Sequence, residues 1–247
     1  MWDWFLHTWS SVGLGAAVVL GLLLFGTDVC RSRPAISRWR DPVWMAWAFV
    51  AAYLVHNFEE YGVDAEGRSF AFPAALCGLF GFHDPAECPV PTAFFAAVNV
   101  PLFWVALPLA ALWSRRHPAV GMTGVGIVFV NAMSHIGEGI RHGYNPGLVT
   151  AVVIFLPLSI WAAAAFFGPG RLLRRPVLGV IVATSVLLHA VLLGLVAGQV
   201  HGVVGGLLAC LVQALVAPVM LLALPWPAER IWPPTPQSAN EPALAAH

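Results

Sequence analysis

The feature that most limits what this chain can become is a recurrence of nearly uncharged windows, each about 18–25 residues long. At about 1.5 Å per residue, such a window crosses a hydrocarbon core of about 30 Å as a helix. Inside lipid every backbone N–H and C=O needs an internal partner, so helices or closed barrels are the available solutions. Windows of this length select helices, and the fold class read from them is all-α, a polytopic membrane bundle. Composition agrees: 59% of the residues are apolar and 10% charged, whereas a water-soluble domain would need more charge to cover its surface.

Seven spans are expected. Span 1 runs from about Thr8 to Gly26, span 2 from Val43 to about Tyr61, span 3 from Pro91 to Trp113, and span 4 from Pro118 to about Arg141. After the turn Tyr144-Asn145-Pro146-Gly147, span 5 continues to Phe167. Pro176 to Leu224 is too long for one crossing, at roughly 73 Å if helical throughout. It is predicted to fold back at Gly198-Gln199-Val200-His201-Gly202, giving spans 6 and 7. Residues 1–224 then form one membrane domain, and the Pro-rich, polar residues 225–247 a disordered cytoplasmic tail. Met1 to Phe5 lacks the basic start of a signal peptide, so the first span is expected to be retained.

Arginine sets the orientation. Connections 1, 3 and 5 with the tail hold ten Arg, and the N-terminus with connections 2, 4 and 6 holds two. The rule that basic loops stay in the cytoplasm places the N-terminus outside and the C-terminus inside, in a bacterial-type cytoplasmic (inner) membrane. Connection 2, Gly62 to Val90, carries an apolar piece, Phe70 to Leu76, too short to span and read as an interfacial or re-entrant flap. Cys77 and Cys88 share that loop; pairing in an oxidising compartment and four free thiols are equally good readings.

Chemistry concentrates in His56-Asn57-Phe58-Glu59-Glu60, at the end of span 2. Residues three and four apart share a helix face, so His56 stands beside Glu59 and Glu60. The orientation brings His135 and Glu138 of span 4 and Asn99 of span 3 to the same depth, with Asn131 one turn before His135. Ionisable groups inside a membrane are costly unless they pair, bind an ion or face a wet cavity. The plainer alternative is a solvated helix end at the headgroup level.

Two chemistries suit the set. A divalent metal, zinc or iron/manganese, would be held by His56, Glu59, Glu60 and His135, because imidazole and carboxylate at i, i+3 spacing build such sites in helix bundles. Glu59, Glu60, Asn99, Asn131 and Glu138 would then serve catalysis. Without metal, crowded carboxylates supply a general acid and base for an isomerase or cyclase of a terpenoid or sterol-like lipid. A non-enzymatic carrier or proton-coupled transporter could use the same carboxylates as a relay. The leading expectation is an enzyme of hydrolase type acting on a lipophilic substrate delivered from the bilayer. Gly-rich helix faces, as in Gly121, Gly124 and Gly126, allow close helix approach and would also admit a homo-oligomer. No nucleic-acid partner is expected, since no basic run with interleaved aromatics occurs. No nucleotide, flavin or retinal is expected either; all twelve basic residues are Arg, so no lysine can form a retinal Schiff base.

These residues resemble the integral-membrane family named for its HXXEE motif. The match lies in His56 to Gly62, Phe72-Pro73, Asn99, Asn131 through His135 to Tyr144-Asn145-Pro146-Gly147-Leu148-Val149-Thr150-Ala151, and Leu156-Pro157-Leu158, within about residues 46–157. The resemblance implies a membrane protein with an enzymatic or metal-binding role carried by His56, Glu59, Glu60, Asn99, Asn131 and His135. Glu138 and spans 6 and 7 have no counterpart in that pattern.

Overall fold

The computed structural model describes residues 1–235, and among them the fold is all-helical apart from two isolated bridges, Val63 with Ser69 and Phe167 with Leu173. The helices are α1 (Trp2–Gly26), α2 (Pro42–Tyr61), α3 (Ala71–Leu79), α4 (Thr92–Trp113), α5 (Pro118–His142), α6 (Leu148–Phe166), α7 (Arg175–Val200), α8 (Gly206–Ala223) and α9 (Trp226–Ile231). Among the described residues six helices are long and apolar enough to cross a membrane, the last of them counted through Gly206–Ile231. The predicted fold-back is present between α7 and α8 but lies at His201 to Gly205, with Gly198 to Val200 still in α7.

The remaining long helix, α2, has 20 residues and the length of a span, about 30 Å. Its last turn of His, Asn and Glu lowers its hydropathy below that of the six. That polarity is tolerated because α2 meets protein on nearly every side: Trp44, Met45, Phe49, Tyr53 and His56 are buried, and α1, α4, α5 and α6 pack around it. Asp41 starts it, accepting from the Val43 and Trp44 N–H groups, with Pro42 in the first-turn position where its missing N–H costs nothing. Helix α5 passes between α2 and α7 through glycine: a Cβ on Gly124 would stand 2.5 Å from Phe49, and one on Gly126 2.7 Å from the Ile181 carbonyl oxygen.

Two helices widen at the centre of the bundle. Val100–Ala106 in α4 and Ala151–Phe155 in α6 are π-helical, each opening just after a polar residue, Asn99 and Thr150. Such turns insert an extra residue and re-aim side chains, often at functional sites.

The flap exists as α3, entered through Phe70 in the left-handed region (φ 52°) and tied at its far end by a Cys77–Cys88 disulfide. Before it, residues 62–70 form a hairpin around Asp64, which accepts from the Glu66 and Arg68 amides and the Arg68 guanidinium. The expected tail from residue 225 is corrected over Trp226–Ile231. This stretch is helical because Glu229 finds partners, accepting from the Ala119 N–H at 2.6 Å and His117 Nδ1 at 3.0 Å, while Trp226 packs on His117. The rest of that expectation, residues 236–247, lies outside the described residues.

Candidate metal centre

Within α2, four residues and 100° per residue set Glu60 about 40° from His56 around the helix, and Glu59 about 60° to the other side. The two carboxylates therefore diverge. Glu60 Oε1 lies 3.4 Å from His56 Nε2 and 3.2 Å from His135 Nε2 of α5, all three side chains buried. Atoms from these three residues fit within 4.8 Å of one another.

Glu59 faces the start of α6. Its oxygens accept from the Val149 and Thr150 amides at 3.0 and 2.8 Å, the Thr150 hydroxyl at 2.6 Å and the Tyr144 hydroxyl at 3.2 Å. An anion belongs there, since the first N–H groups of a helix have no partner of their own and carry its positive end. The expectation that Glu59 joins the metal ligands is corrected accordingly: its oxygens are taken up in holding α6 against α2.

The hydrogen-bond pattern fixes both imidazole tautomers. Thr150 Oγ1 sits 2.6 Å from Glu59 Oε2 and 3.1 Å from the Gly147 carbonyl, both acceptors, so its own hydrogen is committed to them. His56 Nδ1, 2.7 Å from the same hydroxyl, must therefore be the donor. Likewise the Asn145 amide nitrogen donates to the His135 carbonyl at 3.0 Å, which turns its oxygen towards His135 Nδ1 at 2.6 Å and makes that nitrogen a donor. In the neutral rings both Nε2 atoms are then lone pairs, and both point at Glu60. Three acceptors converge with no hydrogen among them, and His56 Nε2 is buried without a hydrogen-bond partner. Such a cluster needs a cation or a proton.

The turn between α5 and α6 completes the centre. Gly147 (φ 98°) lies against both rings: a Cβ there would stand 2.8 Å from His56 Cε1 and 2.7 Å from His135 Cε1.

In front of the centre is a cavity of about 980 Å³ lined by Glu60, His135, Tyr53, Tyr61, the flap residues Phe70, Phe72 and Leu76, and Leu188, His189 and Gln213 of α7 and α8. Asn99 and Asn131 line it and donate to Tyr61 and Tyr53, each at 3.1 Å. Glu138, expected to serve catalysis beside His135, also lines it but turns to His142 (3.6 Å) and does not join the centre.

Sequence reasoning missed the roles of Thr150 and Asn145. The available signal was their nearness to His135 across one tight turn. Tyr53, one turn before His56 on the same helix, was also visible as a neighbour.

Fold and site together define a helical, membrane-type bundle with a buried His/Glu/His centre. Residues 47–162, just under half of the chain, match the model of the family described as proteins of unknown function with HXXEE motif, so the stretch carrying the centre is similar to that family. Comparison with the curated proteins and with the solved structures finds no match.

Proposed function

We propose that the protein is a membrane enzyme whose centre, His56, Glu60 and His135, holds a divalent metal and acts on a lipophilic substrate in the adjoining cavity. The observation that carries this is the convergence of two imidazole lone pairs, both rings held from behind, and a carboxylate. Thr150 and Glu59 fix His56, and Asn145 fixes His135. Metal-ligating histidines characteristically donate their other N–H to such partners. Two imidazoles and one carboxylate suit zinc, with iron or manganese next, and three protein ligands leave a position open for chemistry. A divalent cation there supplies Lewis acidity for a hydrolase-type reaction. The chain's own part is to hold three ligands rigid, to wall the site with Phe72 and Phe155, and to present Glu60 and His135 to the cavity.

A lipophilic substrate is supported by the cavity wall. Leu193 lines it while 48% exposed on the outer surface of α7, the surface that faces lipid in this reading. The proposed orientation, N-terminus outside in a bacterial-type cytoplasmic membrane, draws support from two signals. Arginine counting puts connection 2 outside, and that connection holds the Cys77–Cys88 disulfide, which belongs in an oxidising compartment.

A second reading keeps the same atoms without metal. At 3.2 Å, one added proton makes Glu60 and His135 a hydrogen-bonded acid/base pair suited to isomerisation or cyclisation. Elemental analysis of protein purified without chelators separates the two. Near-stoichiometric zinc, iron or manganese, lost in His56→Ala and His135→Ala, supports the metal centre; metal-free, folded wild-type protein overturns it in favour of the proton.

A further inference from the structure

We propose that Tyr61 donates a hydrogen bond to a neutral carbonyl oxygen of the substrate and that Asn99 is its positioning residue. The proposal rests on the cavity being a substrate chamber, and it does not need the metal.

The chain has three tyrosines. Tyr144 is complete: its oxygen accepts from the Ala65 N–H at 2.9 Å and its proton goes to Glu59 at 3.2 Å. Tyr61 is half complete. Its oxygen accepts from Asn99 Nδ2 at 3.1 Å, and that nitrogen also lies 2.9 Å from the Phe95 carbonyl oxygen. A carbonyl oxygen only accepts, so the amide orientation is fixed, both N–H bonds are spent, and the nitrogen has no lone pair to receive the phenol proton. Among the described residues no other acceptor takes it, although Tyr61 is buried and lines the cavity beside Glu60. A buried, unmet donor is unfavourable, and a phenol that accepts an N–H is the stronger donor for it. Tyr53 bonds Asn131 at 3.1 Å, but no carbonyl anchors that amide.

The surroundings define the acceptor. Rings of Trp9, Phe70, Phe72 and Phe95 surround Tyr61 at centroid distances of 4.9 to 6.0 Å. The arginine at the cavity, Arg68, is already paired with Asp64 and Glu66. At Tyr61 a phosphate or carboxylate headgroup would find no unpaired guanidinium, whereas a long-chain ketone or ester brings an acceptor oxygen and no charge.

The test uses the full chain in detergent, stripped of metal by chelator, and titrated with 2-tetradecanone carrying a carbonyl ¹³C label and with 1-tetradecene. The ketone is expected to bind about fivefold to tenfold tighter, the worth of one neutral hydrogen bond. The labelled carbonyl stretch should fall below its position in empty micelles. Tyr61→Phe should abolish both effects, and Asn99→Leu should diminish both. Equal affinities, no binding of either compound, an unshifted carbonyl band in wild type, or a preference that survives Tyr61→Phe would each overturn the proposal. The wild-type band decides the matter even where a variant fails to fold. With metal removed beforehand, failure here bears on Tyr61, and absence of metal in the elemental analysis bears on the centre.

Discussion

Glu59 and Glu60 adjoin in the chain, yet the Glu59 carboxylate closes on the Val149 and Thr150 amides while Glu60 Oε1 sits between the Nε2 atoms of His56 and His135. The pair should separate under mutation. Glu60→Gln removes a ligand charge and should abolish metal retention through gel filtration. Glu59→Gln keeps the three ligands but loosens the Thr150 bridge to His56, and should weaken metal affinity about 10–100-fold, as loss of outer partners does. Competition against a chromogenic chelator measures both. Equal losses in the two variants would contradict this division of roles.

Gly147→Ala should be more disruptive than its size suggests. A left-handed backbone costs a residue with a Cβ about 1–2 kcal/mol, and the new methyl would lie within 2.8 Å of both imidazoles. We expect a lower thermal midpoint in detergent and a metal content well below wild type. Gly137→Ala, on the same helical hairpin with open space around it, should leave metal content unchanged.

The hairpin at residues 62–70 should be acid-sensitive. Burial alone would push the Asp64 carboxyl up, but hydrogen bonds from the Arg68 amide and guanidinium and the Glu66 amide outweigh it and hold the carboxyl below its usual range. A depressed folded value means the stabilisation is complete above the unfolded carboxyl pKa, about 3.9, and is lost as pH falls through the lower folded value. Amide exchange at Gly67 and Arg68, corrected for its intrinsic pH dependence, should therefore stay protected at pH 5–7 and rise below about pH 4. In Asp64→Asn the protection should be reduced at every pH and this acid step should vanish.

Phe72 joins flap to site, its ring 5.6 Å from Tyr61 and 6.0 Å from His135. Phe72→Ala should widen the cavity without touching a ligand. Metal content should stay at the wild-type level while affinity for 2-tetradecanone falls, by about tenfold if roughly half of the ring's burial is lost. Loss of metal in this variant would show that the flap also supports the centre.

Much of this arrangement was legible from spacing and topology. His56 and Glu60 are one turn apart, and alternating spans bring His135 to their level. The same spacing nominated Glu59 and Glu138, and neither joins the centre. What separates Glu59 from Glu60 is the start of α6, a partner about 90 residues away, and no local pattern carries such a contact. Glu138 was misread for a related reason: His142, one turn on, competes for it near the exposed end of α5. The Cys77–Cys88 pairing was left open because it depends on which side of a membrane the loop faces. The helix at Trp226–Ile231 was hidden by its prolines, since its stability comes from Glu229 meeting the far end of α5.

That last contact has a consequence for biosynthesis. Glu229 receives the Ala119 amide at the first turn of α5, the helix that carries His135 at its other end. More than a hundred residues must leave the ribosome after Ala119 before this clasp can shut, so the helix that carries His135 gains this anchor long after its own synthesis.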